Sequence, residues 1–191
     1  MKIVQQTSPA GLPVSLAMAK LHLKIEDGVT DDDELIANLI KAVTSYVEQY
    51  TNRYLLTRTF TAFLDSVPTD GVIEIHRYPV TAISSVKYIN TSDVLTTMSA
   101  SDYTTDIQDC PARVSIISTP SVSSTAFNAI QVNFTAGHTD AMAQEKGVIQ
   151  AMLVMIADLY EQRQSMVNNY MDIGSISRNI LLDMYIKGAA L

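Results

Sequence analysis

TDDDELIANLIKAVTSYVEQY, residues 30–50, is the stretch that decides the fold of this chain. Its apolar residues recur at spacings of three and four, which predicts an amphipathic α-helix of about twenty residues and roughly 30 Å. Thr30 is the predicted N-cap, and the carboxylates of residues 31–34 lie where the helix dipole favours negative charge. The apolar face is predicted to comprise Leu35, Leu39, Val43, Tyr46 and Tyr50, widened by Ile36, Ile40 and Val47.

Two further helices are predicted on either side of this stretch. A short one has Ser15 as its N-cap and ends by Ile25, because a turn signal follows at residues 26–28. A long one runs from about Ala143 to residues 163–165. The residues expected to share one helical core are Leu35, Leu39, Val43, Val47, Met152, Ile156 and Leu159.

The middle of the chain has the composition of β-structure. Short runs rich in β-branched and aromatic residues alternate with turn signals such as residues 68–71, which favours an antiparallel sheet over βαβ units. A Ser/Thr-rich loop is expected at 118–125. The predicted strands are 59–64, 72–75, 83–89, 113–117 and 130–134.

The predicted fold class is therefore α+β, with a helical core of two long helices plus short ones, an inserted antiparallel β subdomain and extended terminal arms. The expected division is an N-terminal arm 1–13, a helical core 14–56 and 138–165, a β subdomain 57–137 and a C-terminal tail 166–191.

Composition excludes several classes of function. A net charge of −7 and a pI near 4.8 argue against a protein that coats DNA, which needs clustered lysine and arginine. No apolar run reaches 18 residues, so we expect no membrane span, and residues 1–6 lack the apolar region of a secretory signal. The single Cys110 has no partner for an internal disulfide and fits a reducing cytoplasm.

The search for catalytic chemistry is mostly negative. His22, His76 and His138 lie in three different predicted elements without ligand spacing, and the sequence contains no phosphate-binding glycine loop. The acidic run Asp31–Glu34 is the one dense carboxylate group, but adjacent helical side chains point around the axis, so helix capping is favoured over a cation site. We expect no cofactor, no metal and no catalytic residue; the enzyme alternative is a small cation-dependent hydrolase that uses Asp31–Glu34.

Four segments resemble, in order, the head–tail connector (adaptor) proteins of tailed bacteriophages and related gene transfer agents. PVSLAMAKLHL at 13–23 is similar to their PVSLxEAKxHL opening, with Met18 in place of the glutamate, so the reciprocal capping box is lost. Residues 32–53 are similar to their DDxLIxxLIxAAxxYVExxTGR helix, with Asn52 in place of glycine, a residue that also tolerates the left-handed conformation. FTAGH at 134–138 resembles YTAGY, and residues 149–163 resemble their last core helix.

The resemblance implies a structural virion protein, not an enzyme. Such a protein forms a ring of about twelve copies between portal and tail, joins head to tail and lines the DNA exit channel without sequence-specific binding. The implied partners are the portal protein, neighbouring copies, and stopper, tail or other neck proteins; the implied location is the virion neck, after assembly in the host cytoplasm. The alternative is another virion joining part, such as a stopper or tail-completion protein.

The C-terminal tail carries apolar residues beyond the segments predicted to form the helical core. We expect it to form a short amphipathic helix that anchors the ring on the portal or on an adjacent subunit, the alternative being that it folds back onto its own core. The expected interface residues are Ile176, Ile180, Leu181, Leu182, Met184 and Tyr185.

Overall fold

The computed structural model describes residues 1–108, 110–138, 146–161 and 182–183. The chain forms two compact units, a β unit built mainly from residues 1–9 and 57–137 and a helical unit built mainly from residues 10–56 and the described residues of 138–183. Its helices and antiparallel sheets confirm the predicted α+β class.

The helical unit contains three described helices, α1 (Leu16–His22), α2 (Asp33–Thr51) and α3 (Lys146–Glu161). The predicted cap at Ser15 is confirmed, because its side chain accepts a hydrogen bond of 3.1 Å from the Met18 N–H. The C-cap of α2 is Asn52, whose φ of 55° is the left-handed conformation expected there.

The predicted N-cap of α2 was wrong. Helix α2 starts later than expected, because its N-cap is Asp32 and not Thr30. The Thr30 carbonyl instead accepts a hydrogen bond from the Asp33 N–H at 3.1 Å. The Asp32 side chain makes no capping bond and instead accepts a hydrogen bond from the Tyr160 hydroxyl of α3. A tertiary contact therefore replaces the local cap that the sequence pattern indicated.

The core of the helical unit lies among the three helices. From α2 it takes Ile36, Ile40, Val43 and Val47, which are all buried. The remaining buried members of this cluster are Val14, Ala19, Leu55, Val148, Ala151, Met152, Leu153, Met155, Ile156 and Leu182.

Two residues predicted for this core lie outside it. Leu35 is 37% exposed and Leu159 is 48% exposed, so both predictions were wrong. Leu39 is only partly buried against the core. Each of the two exposed leucines belongs to an apolar face wider than the arc that its neighbouring helices cover.

The β unit contains two antiparallel sheets. The first has five strands in the order β1-β2-β8-β4-β5, and the second has three in the order β3-β7-β6. Strand β8 is central, and its residues alternate between buried and half-buried, as period-2 side chains do. The strands are β1 Lys2–Gln5, β2 Arg58–Leu64, β3 Val72–Ile75, β4 Val80–Ile89, β5 Leu95–Thr97, β6 Tyr103–Asp106, β7 Ala112–Ile116 and β8 Ile130–Ala136.

The predicted N-terminal arm is partly a strand. Residues 2–5 form β1 and pair with β2 in the register Lys2↔Phe63 to Gln5↔Phe60. The expectation of an arm over 1–13 is corrected to that extent, because the edge of β2 offers unpaired backbone groups that the segment satisfies.

Candidate assembly surfaces

The start of α2 is held by a buried lysine. Lys20 of α1 lies 2.9 Å from a carboxylate oxygen of Asp33 and donates to the carbonyls of Val29 at 2.6 Å and Asp27 at 3.3 Å. Its side chain is almost fully buried, so the ion pair and these bonds replace the solvation that the ammonium loses. The cluster fixes α1, the loop after it and the first turn of α2 together.

The acidic run at 31–34 is therefore mostly structural. Asp32 binds Tyr160 and Asp33 binds Lys20, which leaves Asp31 and Glu34 exposed to solvent. Among the described residues, no three histidine, cysteine or acidic side chains lie close enough to hold a metal ion. Two of the four carboxylates proposed for a cation site thus already have protein partners.

In the described part of the chain, the three histidines belong to no group that could hold a metal ion. His22 is exposed on α1, and His76 lies 3.3 Å from the Glu74 carboxylate with both side chains about half exposed. His138 forms an isolated backbone bridge with Leu56. Within the described ranges, no helix combines the length and hydropathy that a membrane crossing needs.

Helix α2 carries a second apolar stripe beside the buried one. Its members are separated by four, three, four and four residues, and at about 100° per residue they lie on one side of the helix between the buried face and the polar face. None is charged. We call this set, which is Leu35, Leu39, Ala42, Tyr46 and Tyr50, the outer stripe.

The outer stripe is exposed along most of its length. Tyr46 is 44% exposed and Ala42 is also exposed, whereas Leu39 and Tyr50 are half-buried. The rings of Tyr46 and Tyr50 stack with centroids 5.8 Å apart. The Tyr50 hydroxyl donates to a carboxylate oxygen of Asp183, and this hydrogen bond raises the pKa of the tyrosine.

The predicted tail interface is corrected at one position. Leu182 is fully buried in the core cluster of its own unit, next to Asp183, which holds Tyr50. At this residue the chain folds back on itself, because burial of an isobutyl group is favourable wherever a core completes around it. The other expected tail residues, Ile176, Ile180, Leu181, Met184 and Tyr185, lie outside the described residues.

Two further exposed apolar side chains lie at the end of α1 and in the loop that follows it. Leu21 is 79% exposed and Val29 is 46% exposed. Lys24, which is also exposed, follows in a left-handed conformation and donates its N–H to the Leu21 carbonyl at 3.2 Å. We call Leu21, Lys24 and Val29 the α1 patch.

In the β unit, one end of the five-stranded sheet gathers exposed apolar side chains. Leu64 of β2 and Tyr88 of β4 both pair with Ile130, the first residue of β8, and the β4–β5 hairpin turns at this end. Lys2 pairs with Phe63, so β1 begins here as well. The exposed large apolar residues of this end, which we call the apolar sheet end, are Met1, Val94, Leu95 and Phe127.

The loops of the apolar sheet end are held by hydrogen bonds. The Asn128 N–H donates to Asp65 at 2.7 Å, which fixes the turn that presents Phe127, a residue 83% exposed. Ser123 donates to Asp93 of the β4–β5 turn at 2.8 Å. The apolar side chains are therefore presented on ordered loops, which lowers the entropic cost of binding a partner.

Sequence reasoning missed the apolar sheet end and the α1 patch. The residues come from separate segments, and only the strand register brings the first group together. The one local signal was a large apolar residue inside polar turns, as at Phe127 within Ser123–Asn128.

The chain is similar to a known protein family and to several solved structures. Residues 13–109 match the model of the family described as "Phage gp6-like head-tail connector protein". No curated protein matches the chain significantly in sequence.

Solved structures match the fold over its whole length. The neck of an empty gene transfer agent (GTA) particle, computed with C6 symmetry, matches with a TM-score of 0.83 and 19% identity over 100% of this chain and 98% of that chain. The virion of a native GTA particle matches with a TM-score of 0.80 and 18% identity, and the neck of a native GTA particle computed with C12 symmetry with 0.78 and 18%, both at the same coverage. At these identities the likeness establishes the fold.

Proposed function

Because this chain belongs to the Phage gp6-like head-tail connector protein family, we propose that it is one subunit of a ring in the neck of a virion, between the portal and the tail. Its role is structural: it joins head to tail. The observation that carries the proposal is the whole-length fold match to neck structures, combined with a family match that covers half of the chain.

We propose a ring of about twelve copies, in keeping with the C12 symmetry of one matching neck particle. The partners are then the portal protein, neighbouring copies, and the stopper, tail or other neck proteins. Formation in the host cytoplasm, before the neck is complete, fits a chain whose one cysteine needs no disulfide partner.

The charge of the chain suits a conduit for DNA. Twelve copies at −7 each carry about −84 formal charges, and a wall of like charge does not hold the duplex. Genomic DNA is therefore proposed to pass through the ring without sequence-specific binding.

The ring proposal is tested by mixing the purified protein with the portal protein of the same virus. Native mass spectrometry should show a portal complex that carries about twelve copies of this chain. Persistent absence of any complex, with both proteins folded, contradicts the proposal.

The alternative of a stopper or tail-completion protein differs in the neighbour that is bound. Such a part binds an assembled connector ring and leaves a bare portal free. Binding to the bare portal therefore supports the connector, whereas binding only to portal that already carries another ring supports the alternative.

We assign the apolar sheet end to the contact with the next neck component. The exposed Phe127 and its neighbours offer aromatic and aliphatic anchors of the kind that central positions of protein interfaces use. Phe127→Asp should leave ring formation on the portal intact but prevent attachment of the following component. Ser124→Asp, an exposed position on the same loop, is the matched control and should have no effect.

A further inference from the structure

In the described part of the helical unit, the outer stripe and the α1 patch are separate groups of exposed apolar residues. A closed ring of identical subunits is built head to tail, so each copy needs two different surfaces that fit one another. The two surfaces named above are the candidates for that pair.

The two surfaces lie on different sides of α2. Asp33, which binds Lys20 of α1, and Leu35, which begins the outer stripe, are two residues apart and so point about 200° apart around the helix axis. Helix α1 is fixed to the Asp33 side by this ion pair. The α1 patch therefore cannot reach the outer stripe of its own copy, and the two can meet only between copies.

Both surfaces are preorganised. The outer stripe is part of a 19-residue helix and runs about 22 Å from Leu35 to Tyr50. The α1 patch is held by the Lys20 ammonium, which binds the Val29 carbonyl, and by the backbone bond between Lys24 and Leu21. Binding thus costs little ordering of the backbone on either side.

Charge at the rims selects one register. Glu34 is exposed on the polar face of α2, one residue and about 100° from Leu35, and Lys24 is exposed three residues after Leu21. Glu26 and Asp27, exposed on the same loop as Val29, would repel Glu34. The favoured arrangement therefore places Lys24 opposite Glu34 and apolar groups opposite apolar groups.

We propose that the outer stripe of each copy binds the α1 patch of the next copy, with Leu35 against Leu21 and Glu34 against Lys24. This contact rests on the proposed ring. It makes the outer stripe and the α1 patch the seam between neighbouring subunits.

Cysteine cross-linking on the assembled ring tests the contact directly. In a Cys110→Ser background, the double variant Leu21→Cys/Leu35→Cys is assembled on the portal and oxidised. A non-reducing gel should show a ladder of dimers, trimers and higher species, because every seam can form one disulfide. Each single variant should stay monomeric, since neither surface faces itself.

The matched control pairs Leu21→Cys with Lys41→Cys, an exposed position on the polar face of α2. It should give no ladder. A dimer from Leu35→Cys alone shows a two-fold contact and overturns the proposal. A ladder from the control pair as strong as that from the test pair also overturns it.

A charge exchange tests the register. Lys24→Glu and Glu34→Lys should each reduce the yield of complete rings about tenfold or more, and the double variant should restore most of it. A double variant as defective as the worse single variant shows that the two residues do not face each other.

The possible outcomes distinguish failure of the proposed seam from failure of the proposed ring. If wild-type protein forms a ring but the test pair gives no ladder, the seam is wrong and the ring stands. If wild-type protein forms no ring, both fail. If Tyr46→Glu destabilises the isolated subunit as much as a core substitution does, the subunit's own chain covers the outer stripe and the seam is wrong.

Discussion

The two apolar stripes of α2 run side by side along one helix, yet one is buried in the subunit and the other is largely open. The inner stripe consists of Ile36, Ile40, Val43, Val47 and Thr51, each at most 1% exposed. The outer stripe consists of leucine, alanine and tyrosine. The inner residues are compact and mainly β-branched, which suits a packed core, whereas tyrosine combines an apolar ring with a polar tip and suits interfaces.

The comparison shows that the helical spacing of apolar residues does not determine which of them are buried. Both stripes satisfy the same helical spacing, so the period identifies the helix and the width of its apolar arc. Which part of the arc faces the core depends on the neighbouring helices. When the apolar arc of a helix is wider than the neighbouring helices can cover, the uncovered apolar residues are available to bind a partner.

The largest expected effect is on the inner stripe. Ile40→Ala should lower the free energy of unfolding by about 2–5 kcal/mol, because Ile40 is fully buried and its removal leaves a cavity. Leu35→Ala on the outer stripe should cost less than about 1 kcal/mol, and the half-buried Leu39→Ala an intermediate amount. Urea unfolding measures all three. Equal losses at Ile40 and Leu35 would erase the distinction between the stripes.

The next effect concerns the clamp that orients α1 against α2. Lys20→Met should cost roughly 2–3 kcal/mol, less than for a fully buried pair, because Asp33 keeps 29% of its side chain exposed and can be solvated in part. Lys41→Met, at an exposed lysine of the same size, is the control and should be close to neutral. Thermal and urea unfolding give the measurement; a neutral Lys20→Met removes the physical basis for separating the two surfaces.

A smaller effect is expected where the outer stripe meets Asp183. Asp183→Asn should lower the pKa of Tyr50 toward the ordinary tyrosine value, because the carboxylate that accepts the hydrogen bond of its hydroxyl raises that pKa. Comparing the alkaline titration of tyrosine signals by NMR in the two proteins reveals the shift. The stacking of the Tyr46 and Tyr50 rings should be unaffected.

The smallest effect lies in the β unit, which contains neither stripe. Arg113 donates to Asp106 at 2.6 Å and lowers the pKa of that carboxyl. A lowered native pKa means that the stabilisation is present above the carboxyl's ordinary pKa and is lost as the pH falls through its lowered value. Asp106→Asn should therefore flatten the acid limb of the stability curve slightly. A steeper acid limb in the variant would show that the ionised Asp106 does not stabilise the fold.

Sequence pattern predicted the class of the fold because its signals are long. Helix α2 and strands such as β8 carry several periods of alternation, and the Asn52 and Ser15 caps are local side-chain chemistry. Strands β1, β5 and β6 were missed, since segments of three or four residues carry little periodicity; β3, which is also four residues long, was predicted because a turn signal at 68–71 precedes it. Each missed strand is defined by the strand beside it.

The candidate surfaces were less predictable than the fold. The sequence placed Leu35 and Leu159 in the core because they match the helical period, and only the packing of three helices shows that they lie outside it. No local pattern marks Lys20 as buried; its burial follows from hydrogen bonds to the carbonyls of a loop seven and nine residues away. The tail residue Leu182 became a core residue by a contact that no local pattern encodes.

The parallel bridge Leu56↔His138 and the bond from the Thr57 hydroxyl to the Gly137 carbonyl bring together the two points where the chain passes between its units. An insertion that leaves and returns at one point can be replaced as a block while the connections within the helical unit stay unchanged. Strand β1 sets the condition for such an exchange. Because residues 2–5 form the edge of the inserted sheet, a graft of 57–137 succeeds only if the first nine residues travel with it.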